Sequence, residues 1–181
     1  CLRALAALNA SLGAADSDGW TALHRAARCG REAAARALLE LRARPSARAL
    51  NGSTPLHLAA SHGHEDALRA LLELRADAEL RTAAPNFSRA ALHLAAQNGH
   101  EASVRALAAA GARLEAKERD GWTAMHLAAW NGHAATVRAL GELRADPCAK
   151  TTTSHTPLQL AKRDEAVAAA LAELRQRRPA P

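Results

Sequence analysis

Apolar residues in this chain recur at helical spacing, and the whole arrangement then recurs about 33 residues later. Leu38, Leu39 and Leu41 form one cluster. Leu68, Leu71, Leu72 and Leu74 form the next, followed by Val104 and Leu107 and then by Val137, Leu140 and Leu143. Spacings of three and four put such residues on one stripe of an α-helix. A shorter helix-like stretch precedes each cluster, roughly Ala22–Cys29 in the first unit, and most open after a threonine, a favoured N-cap. Pro55 and Pro157 fall at the first helical position, where a missing N–H costs nothing. Gly30, Gly63, Gly99 and Gly132 turn the chain between the two helices. Each helix pair has one apolar face that it cannot bury alone, so the pattern predicts units that stack on their neighbours.

One phrase marks the period. It reads TALHRAARCG from Thr21, TPLHLAASHG from Thr54, AALHLAAQNG from Ala90, TAMHLAAWNG from Thr123 and TPLQLAKRDE from Thr156, at spacings of 33, 36, 33 and 33. A period near 33 carrying Thr-Pro-Leu-His-x-Ala is the signature of ankyrin repeats. The chain resembles that family over nearly its whole length. The resemblance implies an all-α ankyrin-repeat solenoid of stacked helix-turn-helix units with projecting β-turn fingers. Asp18-Gly19, Asn51-Gly52 and Asp120-Gly121 suit the tight turns of such fingers.

The expected organisation is one domain over 1–175. Residues 1–15 would be a partial repeat, with Leu5 and Leu8 matching Leu38 and Leu41. Repeats follow at 16–48, 49–84, 85–117 and 118–150, with a C-terminal capping repeat at 151–175 and a disordered tail at 176–181. Terminal repeats are expected to be atypical, and here Lys162-Arg163-Asp164-Glu165 replaces the glycine turn. Two further departures stand out. Arg42, Arg75 and Arg144 replace the glycine that the family carries where the second helix exits, a position kept only by Gly111. If the backbone there stays left-handed, each costs about 1 kcal/mol. The spacing of 36 puts three extra residues near Arg81–Arg89, which predicts a longer third finger.

Composition narrows the functional classes. Apolar residues are 49% of 181 but aromatics only 2%, so alanine and leucine must build the core. Of 24 basic residues only three are lysine, and the formal net charge is +6. The arginines follow the period: Arg36, Arg69, Arg105 and Arg138 share an outward slot. Glu32, Glu65 and Glu101 lie four residues before the first three; Glu40, Glu73 and Glu142 lie four residues after Arg36, Arg69 and Arg138. That order favours pairing along a helix and makes a laced surface rather than a phosphate track, which argues against nucleic acid or anionic lipid. Cys1, Cys29 and Cys148 fit no disulfide or zinc framework, which reads as an intracellular setting, cytoplasm or nucleus. No apolar run approaches a membrane span and no signal peptide is visible. The start at Cys1 reads as a piece of a longer protein.

Nine histidines invite a metal reading, but position assigns seven to the framework. His24, His57, His93 and His126 occupy the Thr-x-x-His slot, and His64, His100 and His133 follow the turn glycines. His62 and His155 remain, and His62 with His64 lacks a third ligand. No catalytic constellation or phosphate loop is present in the sequence. The expectation is no enzyme, no metal and no cofactor.

The resemblance implies a protein partner held by a monomer in a concave groove made of finger tips and the exposed side of the first helices. All four aromatics, Trp20, Phe87, Trp122 and Trp130, fall in these slots and none in a core slot. With Arg28, His62, Arg89, Asn98 and Asn131 they form the candidate partner-binding set; aromatics and arginine dominate interface energetics. Its centre is Trp122, Trp130, Arg89, Asn98 and Asn131. Trp20 and Trp122, in Gly-Trp-Thr slots, either meet the partner or pack their own fingers. Three functional readings stay open at this point: an interaction scaffold, a targeting or regulatory module of a larger enzyme or channel, and a basic anion-binding module.

Overall fold

The computed structural model describes residues 12–83, 88–161 and 164–176. Among them are ten helices and no strand. They run in pairs: α1 (Ala22–Arg28) and α2 (Glu32–Glu40), α3 (Pro55–His62) and α4 (Glu65–Glu73), α5 (Ala91–Gln97) and α6 (Glu101–Ala109), α7 (Ala124–Trp130) and α8 (Ala134–Glu142), α9 (Pro157–Leu160) and α10 (Glu165–Gln176). Helix α1 packs on α3, α3 on α5, α5 on α7 and α7 on α9, while α2, α4, α6, α8 and α10 stack in a second layer. The stacked solenoid is therefore as the period predicts. The partial repeat expected at 1–15 lies mostly outside the described residues; of it, Leu12 packs against the core.

The core runs between the two layers. Leu23, Leu56, Leu92 and Met125 repeat on the first layer, and Leu38, Leu71, Leu107, Leu140 and Leu171 on the second, all essentially buried. Ala27, Ala60, Ala96 and Ala129 lie between neighbouring first helices, also buried. Their small size lets those short helices approach closely, which is how a chain so poor in aromatics still builds a dense interior.

Histidine ties each repeat to the next. Nδ1 of His24 accepts the backbone N–H of the N-cap Thr21 (3.1 Å), and Nε2 reaches the Ser53 carbonyl of the following finger (3.1 Å). His57 does the same between Thr54 and Arg89, and His126 between Thr123 and His155. His93 joins Ala90 to Ala116. A carbonyl can only accept, so each Nε2 carries the proton and each Nδ1 is an acceptor. The ring must therefore be neutral. Desolvation drives the pKa of His57 and His93 down to about 4 and lowers those of His24 and His126, against partly compensating carbonyl contacts.

A second histidine set works at the turns. Nε2 of His64, His100 and His133 donates to Arg28, Ser61 and Gln97 carbonyls of the preceding repeat. Each ring lies against that repeat's turn glycine: a Cβ on Gly30, Gly63 or Gly99 would come within 2.6 Å of a ring nitrogen. Glycine is thus required twice, for a φ of 64–74° and for the neighbour's ring.

The capping repeat breaks both patterns. Helix α9 has four residues, and Gln159 takes the histidine's place at Thr156. Asp164 replaces the turn histidine and caps α10, accepting from the Val167 amide. Helix α10 carries the chain in helical form through Gln176, one residue into the stretch read as tail. Leu174 settles where a Cβ on Gly141 of α8 would lie 2.2 Å from it.

Arg42, Arg75 and Arg144 are left-handed, with φ of 67–68°. Each closes its second helix in the two-bond pattern seen at Arg42 N to Leu39 O and Ala43 N to Leu38 O. The conformation that the sequence made costly is the one adopted. On the outer face Arg36, Arg69 and Arg105 pair with Glu32, Glu65 and Glu101. The later glutamates are used differently from the expectation of pairing within a helix: Glu73 and Glu142 accept from Arg36 and Arg105 of the preceding repeat, because stacking brings them closer than the helix does.

Two outcomes follow. Arg75→Gly should raise unfolding free energy by about 1 kcal/mol, as Arg42→Gly and Arg144→Gly should, read by urea denaturation; a loss would contradict the strain assigned here. Acid should weaken the array before carboxylates titrate. The folded imidazole pKa is depressed, so the unfolded chain takes up protons first. Stability is full above pH 6.5 and falls between 6.5 and about 4. By pH 5 the loss should reach about 2 kcal/mol for each of His57 and His93, and urea midpoints that stay flat from pH 7 to 5 would refute it.

Candidate partner groove

The fingers project beside the first helices. In the first, Asp16 N donates to Trp20 O and Gly19 N to Asp16 O; Ala49–Ser53, Glu118–Trp122 and Thr151–His155 close in the same way. Glycine with φ of 74–77° makes the first three of these turns, and Ser154, at 62°, makes the last. Backbone bonds then link finger to finger: Leu50 N to Asp18 O, Ala83 N to Asn51 O, and Thr152 N to Asp120 O. The third finger is closed by Thr82 N to Arg89 O, a span three residues longer than the Asp16–Trp20 closure, as the spacing of 36 predicts.

Within each repeat, the residue before the N-cap faces the residue eight positions later on the first helix. In the first repeat Arg28 lies over the Trp20 ring at 5.1 Å, with Arg25 at 5.9 Å. In the second the pair is Ser53 and Ser61, too small to fill the groove, and a cavity of about 300 Å³ opens beside Leu58, Leu94 and Thr82. In the third, Arg89 Nη1 donates to Gln97 at 2.6 Å. In the fourth, Trp122 and Trp130 meet edge to face, centroids 5.6 Å apart at 78°. The groove floor is therefore a row of four chemically different pairs on one repeated scaffold.

The structure brings Arg89, Trp122, Trp130 and Asn131 together around one cavity of about 270 Å³. Asn98 is near but not part of it; its amide donates to the Ser61 carbonyl and bridges two repeats. Asn131 bonds its own helix at Leu127 O. His62 is exposed, donates Nδ1–H to Leu58 O and stacks parallel on His64. Trp20 and Arg28 sit at the other end of the groove, where Trp20 packs on the arginines of its own repeat and on His24. Phe87 lies outside the described residues.

Sequence reasoning missed Glu118. Its side chain is 3% exposed and accepts from Arg89 Nε at 2.7 Å; the Arg89 side chain is 15% exposed. The clue was available: Glu118 stands four residues before Trp122 as Asp16 does before Trp20, and Asp16 pairs with Arg25. Hydrogen bonds from the Trp20 amide, first, and from Arg25 and the Asp18 amide hold the half-buried Asp16 carboxyl below its ordinary pKa. Leu50, whose position in the repeat already makes it a finger-tip residue but which the candidate set leaves out, is 78% exposed at the second tip.

Among the described residues no three metal-ligand side chains converge, and no helix is long and apolar enough to cross a membrane. A family model described as ankyrin repeats (3 copies) matches residues 1–82 and again 74–151. No curated protein matches the chain.

The Arg89–Glu118 pair makes Arg89 a structural residue before anything else. Removing one partner of a buried ion pair strands the other. Arg89→Ala should cost about 3 kcal/mol in urea unfolding, with much of it recovered in Arg89→Ala/Glu118→Gln; equal losses in both variants would show that the stranded charge is not the cause.

Proposed function

Because this chain belongs to the ankyrin-repeat family, whose members are generally protein–protein interaction modules, we propose that it is a non-catalytic scaffold that holds a protein partner in its concave groove. The fold alone does not assign a site; the placement of exposed apolar surface supports one. Among the described residues three large hydrophobic side chains are exposed. Two of them, Leu50 on a finger tip and Trp130 at 39% on the groove wall, face this side. The opposite face carries periodic arginine–glutamate pairs whose strength is already used within the protein. The groove also offers two separate cavities and chemically distinct pairs along its length, which suits an extended or loop segment read at several points.

The set proposed to contact the partner is Trp20, Arg28, His62, Phe87, Arg89, Asn98, Trp122, Trp130 and Asn131, with Leu50 added. Arg89 and Asn98 act chiefly by shaping the groove, since both are engaged with neighbouring repeats. Trp130 is the anchor, because 39% of its surface is still exposed for a partner to cover.

Leu50→Asp and Trp130→Ala should leave the thermal midpoint within a few degrees, about 1 kcal/mol or less for the first and about 1 kcal/mol of ring contact for the second. Together they should abolish affinity capture of proteins retained by the wild-type chain. Arg36→Ala on the outer face should not. Capture that survives the groove pair and fails with Arg36→Ala would move the interface to the other side, and a large loss of stability in Trp130→Ala would mark that residue as packing.

A further inference from the structure

Two repeats of this chain carry the same finger motif, an acid, then Asp-Gly-Trp-Thr, as DSDGWT and ERDGWT. They handle the tryptophan differently. In the first repeat the ring of Trp20 is covered from within: Arg28 lies over it at 5.1 Å and Arg25 at 5.9 Å, and Asp16, which heads the motif, binds Arg25. The positions of Arg25 and Arg28 correspond to Leu127 and Trp130 in the fourth repeat. Both of these residues line the cavity beside Trp122. The chain thus shows, on its own scaffold, the kind of group that settles against a tryptophan in this slot. At Trp122 that place is bounded by a second indole.

The charge of the cavity points the same way. Its lining carries two carboxylates, Glu118 and Asp120, against one guanidinium, Arg89. Arg89 is held by Glu118 and Gln97 through its Nε and Nη1. The remaining carboxylate is Asp120, exposed at the finger tip. A locally acidic, aromatic recess in a chain of net charge +6 runs against the overall field. Two indoles at 78° with a carboxylate at the rim favour a cation, through the negative faces of the rings and through direct attraction. An acidic or neutral side chain would gain neither.

We propose that the Trp122–Trp130 recess is a binding site for an arginine side chain of the partner protein, stacked against the indoles with its guanidinium toward Asp120. This deepens the groove reading above and rests on it. In effect the partner supplies to the fourth repeat the guanidinium that the first repeat carries in its own sequence at Arg25 and Arg28, where the fourth has Leu127 and Trp130. Arginine suits the recess better than lysine because its flat guanidinium stacks on a ring face while still donating hydrogen bonds at its edge.

The probe is an acetylated, amidated pentapeptide with a central arginine flanked by glycine and serine, compared with the same peptide carrying citrulline, which keeps the shape and loses the charge. Binding to the whole chain is read by NMR at low ionic strength through the three indole N–H signals. The arginine peptide should shift the Trp122 and Trp130 signals saturably at millimolar concentration, with Trp20 little moved. The citrulline peptide should bind about tenfold more weakly. Asp120→Asn, which keeps an Asn-Gly turn in place of Asp-Gly, should weaken the arginine peptide about threefold or more. Equal binding of the two peptides, indifference to Asp120→Asn, or shifts confined to Trp20 would overturn the site. If those failures came with a captured partner still lost in the Leu50→Asp/Trp130→Ala variant, the groove function would stand and only its arginine specificity would fall.

Discussion

The array depends on a neutral imidazole that belongs to one repeat and is completed by the next. In the Thr-x-x-His slot, Nδ1 accepts from its own N-cap and Nε2 gives its proton to a carbonyl at the base of the following finger. Those carbonyls already close their own fingers by accepting from the Ala49, Thr82 and Thr151 amides, and the imidazole of the preceding repeat fills the second acceptor position of each oxygen. The ring therefore does for the finger what a ladder bond does for a strand, and it does so only if the two repeats are in register. The turn histidines add a second fixed point at the C-terminal end of the first helices Ala22–Arg28, Pro55–His62 and Ala91–Gln97. At the junctions before the capping repeat, two anchors set the angle between neighbours as well as their separation.

That constraint explains why the interior can be built from small residues. Leucines and alanines supply area without much shape, and an alanine-rich interface alone would let neighbouring helices slide. The polar anchors supply the register that the apolar contacts lack. It also explains the groove. Because each finger is pinned to the preceding repeat by its carbonyl and to its neighbours by backbone bonds, the side chains on it can vary without moving the frame. A cation on an aromatic ring, two serines, an arginine on a glutamine and two tryptophans occupy equivalent positions along one surface.

Most of the fold could be read from the residues. The period, the caps, the turn glycines and the left-handed arginines each rest on local chemistry, and local chemistry repeats in register. Contacts that cross between repeats were less legible. The later glutamates were read along their own helix, yet Glu73 and Glu142 answer to arginines 37 positions away, a spacing set by stacking rather than by helical turns. Glu118 was missed for the same reason: its partner is 29 residues earlier and lies on a different finger. The clustering of Trp122 with Trp130 was readable because both belong to one repeat, whereas the separation of Asn98 from their cavity depended on a bond to the neighbouring repeat.

Gly141 gives the solenoid a direction. A glycine in the last turn weakens α8 by up to about 1 kcal/mol relative to alanine, and here it admits Leu174 of the final helix into a space where no Cβ would fit. The corresponding positions in the earlier second helices are Leu39, Leu72 and Ala108, which receive an ordinary repeat. The penultimate unit is thus cut to fit a terminator and nothing else. The last two units therefore form a matched pair: the fourth repeat ends in a surface shaped for the leucine of a closing helix, where the earlier second helices carry a side chain of their own.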